Sequence, residues 1–330
     1  YVVLSGLNEN LPEAMALFEK LMANAQVNKD TYKNLSADII KARKDAKLNQ
    51  AQNFNRLVNY GIWGAKSPAT NLLSEAELLA MDPQELINRI HQQNSYEHRI
   101  LYYGPSGEKE LLATINKLHN TPRKLTKIVP NDQFKMELTN QTKVFIAPYE
   151  AKQIYMSQIS NRGEQFDSSM EPVLNLYNEY FGGGMNSIVF QEMRESRGLA
   201  YSANARIIQP SYLKYPYMFR TQIATQNDKM IDAIKVFNDI INEMPESEAA
   251  FKLAKDGLIA RLRTERIIKD EVLWSFIAAQ DLGMKEDSRI KLYNDVQTMT
   301  LKDIVNCQNK WIMNRTYTYC ILGDEIELDL

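Results

Sequence analysis

Three consecutive glycines, Gly182, Gly183 and Gly184, stand within the stretch YFGGGMNSIVFQEMRESRGLAYS, where a glycine run could cradle a phosphate. A P-loop needs a lysine and a Ser or Thr directly after its last glycine, and a dinucleotide-binding loop must follow a strand. Here the glycines follow a helical pattern, and no lysine lies nearby. We therefore predict that the run shapes a loop and does not bind a phosphate.

The same stretch predicts a helix end, a short second helix and a returning strand. Gly182 falls near the first position beyond a helix, where a positive φ is tolerated. Asn186 or Ser187 is then suited to cap the helix SIVFQEMRES. Gly198 stops that helix, and a strand beginning LAYS follows at once. The glycines are thus predicted to form a turn that leads into a short helix, and the end of that helix is predicted to lie beside the start of a strand.

The composition is that of a folded protein large enough for two domains. The chain has 330 residues, of which 44% are hydrophobic and 24% are charged. Its net charge of -2 gives no electrostatic support to nucleic-acid binding. No apolar run approaches the roughly 18 residues of a membrane helix. The two cysteines lack a metal-site spacing and leave the cellular compartment open.

An internal repeat relates the first part of the chain to its last part. The helical patterns NLPEAMALFEKLM and KMIDAIKVFNDII place their apolar residues on one face in the same way. The register then holds through a second, capped helix and a closing strand. The matched residues are Phe18 and Phe237, 219 positions apart, Met81 and Met299, 218 apart, and Gly104 and Gly323, 219 apart.

The repeat predicts one complete domain preceded by part of an equivalent one. Residues 1–119 would form the C-terminal part of a truncated domain, because YVVLSGL has the pattern of a strand entered in mid-domain. Residues 120–133 are polar, contain two prolines and have no clear period, as expected of a linker. Residues 134–330 would form the complete domain.

Strands beside helices in this second domain predict an α+β fold, with a largely antiparallel sheet and helices packed on one face. KVFIAPYE and KQIYMSQIS have the pattern of a hairpin, and MEPVLNLYNEYF that of a helix. Two further strands, SNARIIQ and YPYMFRTQIATQ, follow. Helices are predicted over 228–243, 247–268, 271–283 and 301–313, and YTYCIL closes the sheet.

The stretch NEYFGGGMNSIVFQEMRESRGLAYS resembles the signature of the M16 peptidases, the pitrilysin, insulin-degrading and mitochondrial processing peptidase group. Those proteins are tandem repeats of homologous α+β domains, so the resemblance implies the back of a third domain and all of a fourth. The signature occurs in catalytic and non-catalytic halves alike. An arginine and tyrosine at the proper spacing, and a chain ending at the last strand, indicate the non-catalytic C-terminal half.

The chemistry of that family needs a zinc ion held by His-x-x-Glu-His and a distant glutamate. The chain has three histidines, His91, His98 and His119, and none lies in such a motif. NSYEH has Glu97 and His98 in place, but Asn94 stands where the first histidine would be. We predict that Glu97 and His98 are surface loop residues and that this chain has no metal site. The zinc is expected in the missing catalytic half.

The resemblance implies a role for Arg194 and Tyr201. In the non-catalytic half of these enzymes, an arginine and a tyrosine seven residues later reach the zinc site and contact the carbonyl group of the bound peptide. A tyrosine hydroxyl and a guanidinium can both stabilise an oxyanion without binding zinc. From the residues alone, Arg194 could equally be a solvated helix arginine, and Arg197 is a second candidate nearby.

The sequence therefore predicts the C-terminal, substrate-chamber half of an M16-type zinc metalloendopeptidase, inactive alone. Its expected partners are a peptide or unfolded polypeptide and a catalytic M16 half, either fused upstream or separate. The alternative is a non-peptidase M16-like subunit with a structural or peptide-binding role, since a fold hosts more than one function.

Overall fold

The computed structural model of the chain describes residues 1–129 and 134–324. By their internal contacts these residues form two compact units. Unit 1 combines Tyr1–Asp45 with the stretch that begins at Leu72, and unit 2 combines Ala46–Asn71 with the stretch that begins at Phe134. Residues 130–133, the last part of the predicted linker, lie outside the described residues. The predicted boundaries of a truncated third and a complete fourth domain stay a prediction.

The helices and strands are as follows. The helices are α1 (Leu11–Ala23), α2 (Lys29–Ala46), α3 (Gln50–Trp63), α4 (Glu75–Ala80), α5 (Pro83–Gln92), α6 (Glu108–Leu118), α7 (Glu171–Phe181), α8 (Ile188–Phe190), α9 (Met230–Asn242), α10 (Glu248–Thr264), α11 (Glu271–Asp281), α12 (Ser288–Thr298) and α13 (Leu301–Cys307). The strands are β1 (Lys143–Pro148), β2 (Gln153–Ser160), β3 (Ser202–Ile208), β4 (Met218–Gln226) and β5 (Thr318–Gly323). Two π-helical turns, Gln191–Ser196 and Gln308–Ile312, continue α8 and α13.

The helix order supports the repeat. The first five helices of the chain, α1 to α5, have counterparts in the same order in α9 to α13 near its end. The starts of α1 and α9 are 219 positions apart, and those of α2 and α10 are also 219 apart. The starts of α5 and α13 are 218 apart. The starts of α3 and α11 are 221 apart and those of α4 and α12 are 213 apart, so the order of the helices and three of the five offsets support the helical part of the repeat.

The predicted strands of the first repeat are wrong. Residues 1–7 form no strand, and HRILYYGP at 98–105 forms none either. Within residues 1–129 the only strand-like pairing is an isolated bridge between Tyr96 and Thr126. A strand needs neighbours to pair its backbone groups, so these apolar segments have no sheet to join in unit 1.

The five strands form one mixed sheet in the order β1-β5-β2-β4-β3. β1 pairs with β5 in parallel, and the other neighbours are antiparallel. The predicted α+β class is confirmed, but the predicted hairpin of β1 and β2 is wrong because β5 lies between them. β5 takes the inner position because it is apolar on both faces: Ile321 packs on one side, and Cys320 and Leu322 on the other.

One face of the sheet, here called the inner face, packs against helices from the later part of the chain, namely α7, α8, α9, α10, α12 and α13. The core on this side is rich in fully buried aromatic side chains, each of which removes a large apolar area from water. The largest of them are Tyr177, Tyr180 and Phe181 of α7, Tyr217, Phe219 of β4 and Phe237 of α9.

The other face, here called the outer face, is covered in part by α3, whereas the sequence predicted helices on one face only. Phe54 and Val58 of α3 pack with Ile159, Cys320 and Leu322 of the sheet. A helix from the first repeat thus completes the core of unit 2. It can approach β5 closely because position 61 is a glycine: a Cβ there would lie 2.7 Å from the Cys320 sulfur.

Candidate functional site

The predicted short helix after the glycines forms, but it is not a regular α-helix. Ser187 caps it and accepts a long hydrogen bond from the Phe190 N–H, at 3.4 Å. One α-helical turn is followed by the π-helical turn Gln191–Ser196. The helix ends before Gly198, which has a φ of +60°, as the predicted stop requires. Wider turns of this kind are frequent at functional sites.

Gly182 ends α7 as predicted, but the predicted reason is wrong. Its φ is -147°, so a positive φ is not what selects glycine there. A Cβ at this position would lie 2.1 Å from the Ala205 carbonyl oxygen and would collide with the backbone of β3. Gly183 is also crowded, by the carbonyl of Asn178 at 2.7 Å, whereas Gly184 faces open space. The run therefore lets α7 pack directly on the edge of the sheet.

The chain folds back sharply after Gly198. The Met193 carbonyl accepts hydrogen bonds from the N–H groups of Leu199, at 2.8 Å, and Ala200, at 3.2 Å. The next N–H, that of Tyr201, donates to the Ala224 carbonyl of β4 at 2.8 Å. This backbone arrangement places the start of β3 beside the last turn of the helix.

Arg194 and Tyr201 are brought together by this turn. The Arg194 guanidinium carbon lies 5.6 Å from the centre of the Tyr201 ring and 5.1 Å from that of Phe190. Both side chains are accessible, at 45% of the side chain for Arg194 and 68% of the residue for Tyr201. The ion pair of Arg194 with its neighbour Glu195 is long, at 3.8 Å. The guanidinium is thus held mainly by ring contacts, which leave its N–H groups able to donate.

Two features of this cluster escaped the sequence prediction. Phe190 supplies the second ring beside the guanidinium, and its position four residues before Arg194 on one helix is the signal that could have identified it. Arg197, the other candidate, pairs with Glu192 at 3.3 Å and not with Tyr201. The spacing of seven residues therefore selects the arginine that lies beside the tyrosine.

The histidines of unit 1 do not fit a zinc site. The Nε2 atoms of His98 and His119 face each other at 2.8 Å, and His119 Nδ1 lies 2.6 Å from Glu19 Oε1 on the opposite side of its ring. These donor atoms do not converge on one point, as ligands of a tetrahedral ion must. His91 contacts the Ala25 carbonyl instead. Among the described residues, no group of three or more His, Cys, Asp or Glu side chains could hold a metal ion.

A surface cavity lies at a different place on unit 2. Its volume is about 270 Å³, and α7 and β3 line it with residues that include Asn178, Arg206 and Gln209. The Asn178 side chain lines it while pairing with the backbone of Ile207, to which it donates at 2.9 Å and from which it accepts at 2.8 Å. Arg194 and Tyr201 do not line this cavity.

The fold is that of an α+β layer domain, and the exposed arginine–tyrosine pair lies beside its sheet. Residues 99–258 match the sequence profile of the family described as the peptidase M16 inactive domain. This match confirms the predicted resemblance to the M16 family and, within it, to the inactive C-terminal domain. No curated protein matches the chain by sequence.

Solved structures share the fold at low sequence identity. A conserved protein from Enterococcus faecalis V583 is 14% identical, with a TM-score of 0.73, over 98% of this chain and 76% of that one. The peptidase M16 inactive domain from Pseudomonas fluorescens is 13% identical, with a TM-score of 0.69, over 97% of this chain and 76% of that one. The ferredoxin protease FusC, solved with Arabidopsis ferredoxin, is 12% identical, with a TM-score of 0.68; the match covers 96% of this chain but 35% of FusC. These likenesses establish the fold.

No helix in the described ranges combines the length and apolar character needed to cross a membrane.

Proposed function

We propose that this chain is the substrate-chamber half of an M16-type zinc metalloendopeptidase and supplies Arg194 and Tyr201 to an active site completed by a catalytic half. The observation that supports the proposal is the adjacency of these two exposed side chains at the end of one helix, with 5.6 Å between guanidinium and ring. Their partners are weak, so a bound peptide could displace them at small cost.

The proposed chemistry is stabilisation of negative charge on a peptide carbonyl oxygen. When a nucleophile adds to that carbonyl, the oxygen gains charge, and the Tyr201 hydroxyl would donate a hydrogen bond to it. The Arg194 guanidinium, always charged, would hold a second carbonyl oxygen before and during the reaction. Such donors act best where water is excluded, which a closed chamber would provide.

The zinc and the attacking water would belong to the catalytic half, fused upstream or separate. The substrate is proposed to be a peptide or an unfolded polypeptide. The fold shared with FusC, a ferredoxin protease whose structure contains a protein bound to it, supports a polypeptide substrate. No catalytic step is assigned to this chain alone.

The test is turnover by the complete enzyme with Tyr201→Phe, which removes only the hydroxyl. We expect kcat on peptides to fall by roughly a hundredfold or more, about 2.7 kcal/mol or above, because one oxyanion donor is lost. Arg194→Ala is expected to raise KM and lower kcat together. Zinc content should not change in either variant, since neither residue is a ligand.

Two matched controls separate the site from general surface effects. Tyr212 is an exposed tyrosine elsewhere in unit 2, and Arg197 lies three residues from Arg194. Tyr212→Phe and Arg197→Ala should therefore keep wild-type kinetics. Wild-type kinetics in Tyr201→Phe and Arg194→Ala would contradict the proposed role of the pair. A complete protein with no peptidase activity would instead support the alternative, a non-peptidase peptide-binding or structural subunit.

A further inference from the structure

The outer face of β4 and β3 is apolar at Met218 and Ile208, which belong to the cluster under α3, and mainly polar along the rest of the two strands. Gln222 of β4 lies opposite Asn204 of β3. One step along the strands, Arg220 lies directly opposite Arg206. Side chains opposite each other on neighbouring antiparallel strands have their Cβ atoms about 5 Å apart. The two guanidinium groups therefore belong to one surface patch, here called the arginine pair.

The arginine pair has no counter-ion among the described residues. No ion pair to Asp or Glu is formed by either arginine there, and the outer-face positions of β2, β3 and β4 contain no acidic residue. These positions are Gln153, Tyr155, Ser157, Ile159, Ser202, Asn204, Arg206, Ile208, Met218, Arg220, Gln222, Ala224 and Gln226.

The environment of Arg220 is unusual for a cation. Its side chain is partly buried, with Ile159 as its register partner on β2, and its Nε donates to the Ser157 hydroxyl at 3.2 Å. Burial lowers the pKa of the Arg220 guanidinium, and the neighbouring Arg206 lowers it further. Arg206 itself is exposed, so solvent and ligands can reach the pair.

Like charges placed directly opposite each other destabilise a sheet. Two arginines cannot relieve this by losing a proton, because a guanidinium keeps its charge in a protein. An anion placed between them would relieve the repulsion and accept hydrogen bonds from both forks. Carboxylate and phosphate groups match the planar geometry of a guanidinium.

We propose that the arginine pair binds the carboxylate of a glutamate or aspartate in a polypeptide held by this chain. A nucleic acid would need a wider basic surface, and the net charge of -2 offers none. The site rests on the proposed function in one respect only, namely that the ligand is a polypeptide. It adds a preference for acidic segments, at a place separate from Arg194 and Tyr201.

The test is direct binding of two peptides to the 330-residue chain, without the catalytic half. One peptide carries two adjacent glutamates between neutral residues, and the other carries glutamines there. We expect the glutamate peptide to bind roughly tenfold more tightly, as charge-assisted hydrogen bonds would give. Added salt should reduce the preference.

Variants of single arginines test whether the preference for the glutamate peptide arises at the arginine pair. Arg206→Gln removes the exposed member of the pair and should cut the preference to about twofold or less. Arg206→Lys, which keeps the charge but not the fork, should retain part of it. Arg123→Gln, the same charge change at an exposed site in unit 1, should leave it intact. Far-UV circular dichroism checks that each variant is folded.

Three outcomes would overturn the proposal: equal affinity for the two peptides, a preference that survives Arg206→Gln, or tighter binding of inorganic phosphate than of the glutamate peptide at the pair. The result is independent of turnover. The binding assay contains no catalytic half and measures no hydrolysis, so failure of the catalytic proposal and failure of this one give different results.

Discussion

The glycine run contains two positions with very different surroundings. A Cβ on Gly182 would lie 2.1 Å from a backbone oxygen of β3, whereas a Cβ on Gly184 would meet nothing within 4 Å. The backbone of β3 is packed in the sheet and cannot shift without a cost in free energy. Packing therefore requires glycine at position 182 but not at position 184.

Gly182→Ala is therefore expected to lower the free energy of unfolding by about 1–3 kcal/mol, the usual cost of forcing an extra carbon into a packed site. Gly184→Ala is the matched control and should be neutral or stabilising by up to about 1 kcal/mol, since alanine restricts the unfolded chain. Urea denaturation measures both. Equal effects of the two substitutions would show that α7 does not depend on its close approach to β3.

At this scale the sequence predicted the local geometry better than the physical cause of each residue. The helix stop at Gly198, the cap at Ser187 and the spacing of Arg194 and Tyr201 are all local, within one or two turns of chain. The need for glycine at position 182 comes from Ala205, on another element, and no local pattern contains that contact.

At the scale of elements, α3 has the largest consequence for the fold. Phe54 is fully buried between α3 and the outer sheet face, and its ring contacts that of Tyr155 edge to face, with 5.5 Å between centres. Gly61 allows the helix to approach β5, where the Cys320 thiol donates to the Leu57 carbonyl at 3.6 Å. The helix is thus part of the core that stabilises the sheet.

Phe54→Ala should cost about 3–5 kcal/mol of unfolding free energy, as loss of a buried phenylalanine does. Amide exchange in β5 should speed up, because the cover of the outer face is loosened. Leu21→Ala, in α1, is the control: Leu21 is 62% exposed, so its loss should change stability by less than about 0.5 kcal/mol. Unchanged exchange in β5 after Phe54→Ala would contradict a stabilising role for α3.

The amphipathic pattern of α3 could be predicted, but its partner could not. An apolar stripe indicates that one face of a helix is buried, but it does not indicate which element packs against that face. The same limit explains the wrong hairpin. The β1 and β2 patterns are adjacent in sequence and suit a hairpin, but a strand from 175 positions later in the chain separates them.

At the scale of the whole molecule, several buried acidic groups of unit 2 affect its response to alkali. Burial raises the pKa of the Cys307 and Cys320 thiols from 9.0 to about 12. It raises the pKa of the Tyr217 hydroxyl from 10.0 to about 12. Each folded group thus keeps its proton at a pH where the unfolded chain has lost it.

Stability should therefore be fully present below about pH 9 and fall as the pH rises toward 12. Above pH 9 the unfolded state binds fewer protons than the folded state, and each such group lowers the unfolding free energy by up to about 1.4 kcal/mol per pH unit. Urea midpoints between pH 8 and 11 measure the trend. Replacing Cys307 with Ala should make the slope shallower. A midpoint independent of pH over this range would disprove the burial of these groups.

The repeat and the α+β class could both be predicted at this scale. The helical spacing of apolar residues is visible in the sequence, and the same spacing recurs about 219 positions later. The absent strands of the first repeat could not, since a strand forms only where another strand is available to pair with it. Segments such as HRILYYGP have the composition of a strand without such a neighbour in unit 1.

The position of β5 has a consequence for the time course of synthesis. Lys143 of β1 pairs with Thr318 of β5, so 175 further residues must be made before the sheet can close. At 5–20 residues per second, this takes roughly 10 to 35 seconds. Until then, β1 and β2 each present an unpaired edge on a nascent chain, and such edges attract other strands. The yield of folded protein during synthesis should thus depend on chaperones that shield those edges. This dependence would not be expected from the stability of the folded protein alone.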